Sequence, residues 1–157
     1  MGYSYLKLLH IIAVIIFLGN IFAGLFWIHI AVKTKDQKLI NYTVKGLIKS
    51  DKYFTVPSVI IITIGGIISA IYGRFPILVT GWIFWSIILF SISGIIFGFR
   101  VSPLQKRMSI ITDNNVNSNH FDWIIFRRIY SEWHFWAVIA LLTPIAALVM
   151  MVLKVPE

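Results

Sequence analysis

The sequence predicts an all-α fold: an integral membrane protein whose helices form an antiparallel four-helix bundle. Hydrophobic residues make up 59% of the 157 residues and charged residues 13%, whereas soluble domains contain roughly half apolar and a quarter charged residues. Four apolar stretches are each long enough to approach the roughly 20 residues that cross a bilayer as a helix. Because backbone polar groups in lipid must be paired within their own segment, these stretches are predicted to be helical.

The first apolar stretch spans residues 3 to about 32, and only four residues interrupt it: Lys7, His10, Asn20 and His29. It lacks the basic start, short apolar core and small-residue cleavage site of a signal peptide. We therefore expect it to be retained as a membrane helix.

The second predicted span covers about residues 54 to 72, with Pro57 in its first turn, where proline is tolerated. The turn Gly73–Pro76 interrupts the helical pattern and predicts a short connection to the third span, about residues 77 to 99. The third span contains Gly94-xxx-Gly98, a spacing of small residues that lets two helices approach closely.

The segments 33–53 and 100–132 are polar and are predicted to be loops, and the fourth span follows at about residues 133 to 153. Eleven of the 14 lysines and arginines lie in these two segments, and basic loops stay on the cytoplasmic side of a membrane. Both loops are therefore predicted to be cytoplasmic, with the N-terminus and the C-terminus outside. Residues 113–119 are predicted to be flexible, and His120 is expected to be solvated.

Two histidines lie on the first span at opposite depths, and each is a candidate haem ligand. His10 and His29 are separated by roughly 28 Å along a helix, so they cannot bind one iron. In an antiparallel bundle the fourth span brings His134 near the depth of His29, and Met150 near the depth of His10. His29 and His134, the inner pair on the predicted cytoplasmic side, are candidates for bis-histidine ligation of haem. His10 with Met150 or Met151 is a candidate for histidine–methionine ligation.

The surroundings of the two candidate sites leave a structural alternative open. Lys33, Arg127 and Arg128 fall near the inner pair and are candidates to meet haem propionates. Each histidine could instead be a structural residue that forms a hydrogen bond near a helix end. We favour that alternative for His29 and the ligand role for His10, which lies deeper in the predicted membrane.

Two carboxylates at predicted helix starts are interpreted differently. Glu132, two residues before His134, is a candidate catalytic residue that relays protons or meets a substrate amine. The alternative is a helix-start carboxylate paired with Arg128 four residues earlier. Asp51 is interpreted as a carboxylate of this second, structural kind.

The two ends of the chain resemble the HemJ-type membrane protoporphyrinogen oxidases. The opening shares with that family the motif Tyr5-Leu6-Lys7-x-Leu9-His10-Ile11-Ile12. The start of the last span shares Phe126-x-Arg128-Ile129-x-x-Glu132, and the ending shares Lys154 and Pro156.

The middle of the chain resembles a related integral membrane family, domain of unknown function 2269. The matching stretches are Asp51-x-x-Phe54-Thr55-x-Pro57, Gly65 to Ala70, Gly81-Trp82, and Val101-x-Pro103-Leu104-Gln105-x-Arg107-Met108. The two resemblances together cover nearly the whole chain.

The resemblance implies a four-helix membrane protein in which His10 ligates haem b. It also implies that Lys7, one turn from His10, is a candidate catalytic residue of the same site. The HemJ pattern has a lysine and histidines in its third helix, where this sequence has Phe84, Trp85 and Ser86. His134 is therefore a candidate local replacement for a lost iron ligand.

Three hypotheses of function follow. The first is a redox protein with one or two haem b groups, either an electron carrier or a HemJ-like oxidase, whose partner is quinone or a porphyrin-type substrate. The second is a cofactor-free accessory or structural subunit, docked into a homo-oligomer or a larger membrane complex through its small-residue faces. The third is copper binding by histidine and methionine.

The cysteine count and the net charge limit which metal centres and binding partners the protein can have. The sequence has no cysteine, which excludes disulfides, iron–sulfur clusters and thiolate metal sites. The net charge is +8, and the basic residues flank apolar spans. We therefore expect them to contact anionic headgroups of the lipid bilayer and not nucleic acid. The expected location is the bacterial inner membrane, as a multi-pass protein.

Overall fold

The computed structural model of the chain describes residues 2–77, 79–114 and 121–156, and these residues form helices joined by short connections, with no strand among them. Their bounds are α1 (Gly2–Thr34), α2 (Gln37–Ser50), α3 (Val56–Tyr72), α4 (Gly81–Ile96), α5 (Ser102–Asn114) and α6 (Trp123–Leu153). Two π-helical segments, Asp51–Thr55 and Phe97–Val101, join α2 to α3 and α4 to α5 without a break.

The described residues thus form four long helical units, and each is long and apolar enough to cross a membrane. They cover Ser4–Thr34, Gln37–Tyr72, Gly81–Asp113 and Trp123–Leu153. The predicted fold class, an all-α membrane protein with four helices, is confirmed. The membrane boundaries and the outside position of both termini stay predictions.

The segments predicted to be loops are largely helical, which corrects the sequence analysis. Residues 37–50 form α2, and residues 102–114 form α5. In α2 the buried residues Ile40, Val44 and Leu47 recur at helical spacing, so packing of one apolar face stabilises a segment whose other face is polar. The Asp36 side chain caps α2 by accepting hydrogen bonds from two of its first backbone N–H groups. His120 and most of the segment predicted to be flexible lie outside the described residues.

The units are arranged as two hairpins, α1 against α2–α3 and α4–α5 against α6. Helix α1 also contacts α6, but the hairpins meet most extensively through α2 and α5, at the end of the bundle where α1 leads into α2 and α5 leads towards α6. We call this the connector end and the opposite end the His10 end. Within the described residues, α3 contacts neither α4 nor α6, so its neighbour among the other long helices is α1.

The packing follows this arrangement. A large buried cluster lies at the connector end and includes Ile28, Val44, Leu104, Phe126 and Trp133. A smaller cluster lies further along the bundle, where the rings of Phe17 and Phe90 meet across the hairpins with their centres 5.6 Å apart. The bundle is therefore best packed at the connector end.

The second hairpin is held together by buried serine hydroxyls. Ser93 donates to the carbonyl of Ala140 at 2.6 Å, and Ser86 donates to the carbonyl of Ala147 at 3.1 Å. Pro144 lies inside α6 and has no N–H to offer the carbonyl four residues earlier, which is that of Ala140. The Ser93 hydroxyl thus satisfies the carbonyl that this proline leaves free, as membrane helices require.

Candidate functional site

His10 lies on α1, half-buried against α3. Its Nδ1 is 3.1 Å from the carbonyl oxygen of Ile62. Because a carbonyl only accepts hydrogen bonds, this bond requires a proton on Nδ1, and in the neutral ring Nε2 then keeps its lone pair. The structure therefore holds the imidazole in one tautomer with a free basic nitrogen.

Two glycines of α3 make room for this ring. A Cβ atom on Gly65 would lie 3.6 Å from the His10 Cβ, and a Cβ on Gly66 would lie 3.2 Å from the His10 Cε1. The second distance is shorter than an ordinary van der Waals contact, so a side chain there would have to displace the imidazole. The two glycines thus allow the close contact between α3 and His10.

We expect Gly66→Val to displace the His10 ring and to break its bond to Ile62, lowering the free energy of unfolding by about 1–3 kcal/mol. Thermal unfolding of the detergent-solubilised protein measures the loss. Gly94→Val is the matched control, because it makes the same change inside a helix where an added Cβ meets nothing within 4 Å. Equal losses in the two variants would contradict the close contact at His10.

The other residues predicted for the His10 site are not joined to it. Met150 is half-buried on α6, and no bond or ring contact in the described part of the chain links it to His10. Lys7 is exposed on α1 and has no ion-pair partner among the described residues. Both therefore stay predictions, without a contact that assigns them a role.

The inner candidates, in contrast, lie around one cavity of about 530 Å³ between α1 and α6. We call it the basic pocket, lined by His29, Val32, Lys33, Arg127, Arg128, Tyr130, Ser131 and His134. The His134 Nδ1 is buried and has no hydrogen-bond partner among the described residues, while His29 is exposed. The predicted proximity of these two histidines and three cations is thus reproduced in the fold.

Glu132 is paired differently from the prediction. Its carboxylate lies 3.7 Å from the guanidinium of Arg100, in the second π-helical segment, and both side chains are about half exposed. The predicted pair with Arg128 is therefore wrong, because Arg128 lines the basic pocket instead. The Arg100 guanidinium also lies over the Trp136 ring, 5.3 Å from its centre.

The structure also contains a buried polar network that the sequence analysis did not predict. Asp51 is only 6% exposed, and its Oδ1 accepts hydrogen bonds from Asn20 at 3.1 Å and Thr55 at 2.8 Å. Its Oδ2 accepts from the Gln105 amide at 2.9 Å. The Asn20 amide also donates to Thr55 and accepts from Ser50. One carboxylate thus joins α1, the first π-helical segment and α5.

The interpretation of Asp51 as a helix-start carboxylate is wrong, because α2 continues through it into α3. The π-helical turn that begins at Asp51 inserts an extra residue, a feature frequent at functional sites. Two signals in the sequence pointed to this network. Asn20 interrupts an apolar span, and Asp51, Thr55 and Gln105 all lie in the stretches that resemble domain of unknown function 2269.

Comparison with known proteins gives one match. Residues 4–155 match the model of a family described as predicted integral membrane protein (DUF2269). No curated protein and no solved structure matches the chain.

Proposed function

The chain belongs to the DUF2269 family of predicted integral membrane proteins, and from that premise we propose that it is a haem b-binding redox protein. We further propose that it resides in the bacterial inner membrane and that His10 is an axial ligand. The observation that supports this assignment most directly is the hydrogen bond between the His10 Nδ1 and the Ile62 carbonyl.

That bond matches the requirement of a metal-ligating histidine. Such a residue almost always donates its second ring N–H to a carbonyl or carboxylate, which fixes the tautomer and raises the basicity of the ligating nitrogen. His10 meets this condition, with Nε2 left as the ligating atom. His134 does not, since its buried Nδ1 has no acceptor within the described structure.

The surroundings of His10 also suit a flat apolar group. Gly65 and Gly66 let the imidazole pack closely against α3, and the apolar side chains of Leu9 and Ile11, next to it on α1, are exposed. A bound haem b would supply one-electron chemistry, while the protein contributes the ligand and an environment of low polarity. We propose that the haem exchanges electrons with quinone or with a porphyrin-type substrate.

The absorbance spectrum of the detergent-purified protein tests this proposal. We expect a Soret band that shifts on addition of dithionite, and we expect His10→Ala to lose the band because the iron loses its protein ligand. His29→Ala, on the same helix as His10, and His134→Ala, on α6, are matched controls. Both variants should retain the wild-type spectrum.

Two results would overturn the assignment. A normally expressed protein without colour, from cells that make haem, would favour a cofactor-free subunit of a larger membrane complex. Loss of haem in His134→Ala with retention in His10→Ala would move the site to the basic pocket.

A further inference from the structure

The seam between α1 and α6 contains two cavities, one polar and one apolar. The basic pocket is lined on α1 by residues 29–33 and on α6 by residues 127–134. A second cavity, also of about 530 Å³, is lined by Phe22, Phe26 and Trp27 on α1 and by Leu141 and Ile145 on α6, together with small and aliphatic neighbours. We call this cavity the apolar groove.

The two cavities follow one another along the same pair of antiparallel helices. On α1 the groove ends at Trp27 and the pocket begins at His29, a step of about 3 Å along a helix. On α6, Arg128 and Ile145 are separated by roughly 26 Å. The seam is therefore elongated, with one charged end and one hydrocarbon-like end.

The charge of the pocket is uncompensated. Lys33, Arg127 and Arg128 are exposed, no acidic side chain lines the cavity, and none of the three forms an ion pair within the described residues. Two other cations near this end of the bundle do form ion pairs, Lys45 with Asp113 and Arg100 with Glu132. Unpaired guanidinium groups at one cavity favour a phosphate, which they can bind in a bidentate manner.

We propose that this seam binds one anionic phospholipid, with its phosphate in the basic pocket and an acyl chain in the apolar groove. Charge complementarity selects an anionic headgroup, and the Tyr130 and Ser131 hydroxyls add neutral donors. The acyl chain covers Phe22, Phe26 and Trp27, whose side chains are 53% to 65% exposed in the protein alone. A small soluble anion would fill the pocket but leave the groove uncovered, so the lipid accounts for both cavities.

Native mass spectrometry of the detergent-solubilised full chain, titrated with phosphatidylglycerol and with phosphatidylcholine, tests the proposal. We expect one phosphatidylglycerol to bind at least tenfold more tightly than phosphatidylcholine. The double variant Arg127→Gln/Arg128→Gln should lose that preference. The control variant Lys106→Gln/Arg107→Gln removes the same amount of charge from exposed residues of α5. It should keep the preference for phosphatidylglycerol.

A groove variant separates a lipid from a free phosphate. Ala23→Phe fills the groove without changing the charge, and it should weaken phosphatidylglycerol binding severalfold while leaving the binding of inorganic phosphate unchanged. Equal binding of both lipids, or equal losses in the two charge variants, would overturn the proposal. So would a groove variant that binds phosphatidylglycerol like the wild type, since the ligand would then be a phosphate alone.

The same samples distinguish this site from the haem site. The Arg127→Gln/Arg128→Gln variant should retain its Soret band, because it leaves His10 and its bond to Ile62 intact. A loss of the Soret band in this variant would overturn the lipid assignment and place haem propionates in the basic pocket.

Discussion

Asp51→Ala is expected to lower the free energy of unfolding by about 3 kcal/mol. The carboxylate accepts bonds from Asn20, Thr55 and Gln105, and it is almost fully buried. Alanine would leave these donors without their acceptor, and a buried donor without a partner costs about 1–3 kcal/mol. Asn20 and Thr55 still bond to one another, so Gln105 would lose the most.

The loss should be large because of where Asp51 lies. Polar bonds tie α2 to α5 at the connector end, among them Gln37 to the Thr112 carbonyl and Lys45 to Asp113. The bond between Asp51, in the first π-helical segment, and Gln105 lies further along the chain than these, towards α3. Its removal is therefore expected to loosen the packing of one hairpin on the other.

Unfolding in detergent with increasing denaturant measures this effect. Asp113→Ala is the control, since it removes a carboxylate whose side chain is 55% exposed and paired with Lys45, and such surface pairs contribute about 0–1 kcal/mol. Asp51→Asn should lie between the two, because it keeps one acceptor oxygen. If Asp51→Ala and Asp113→Ala were equally stable, the network would have no structural role.

Trp133→Ala should produce a loss of similar or greater size, about 3–5 kcal/mol. Trp133 is 1% exposed in the large cluster at the connector end. Its ring stacks near Tyr130, with the ring centres 6.2 Å apart. Alanine would leave a cavity in the best-packed part of the bundle, and the surrounding helices could close it only in part.

The matched control is Trp85→Ala, which removes the same side chain from a position 47% exposed on α4. Thermal unfolding should show a clear shift for the buried tryptophan and a small one for the exposed tryptophan. A larger shift for Trp85 would contradict the placement of the core at the connector end.

The fold class was predictable because membrane helices follow from apolar length alone. Four long apolar stretches must become helices in lipid, and all four are helical. The inner group of His29, His134 and three cations was also predictable, since antiparallel helices of known rise place residues at matching depths. The basic pocket contains that group.

The helix at residues 37–50 was missed although the spacing of Ile40, Val44 and Leu47 indicates it, because the segment is rich in lysine and was interpreted as a loop. Other features depend on contacts that spacing does not report. The Asp51 network joins residues that are 31 and 54 positions apart. The pair of Glu132 with Arg100 required knowledge of how the second π-helical segment faces α6, which is why the local partner Arg128 was predicted instead.

The measurement that tests the central claim most directly is imidazole rescue of the His10→Gly variant. If His10 ligates haem b, the variant should lose the Soret band and regain it when imidazole fills the space left by the side chain. The far-ultraviolet circular dichroism should stay helical throughout, which excludes unfolding as the cause. A His10→Gly variant that keeps the wild-type spectrum without imidazole would contradict the claim, as would a wild-type protein that never binds haem.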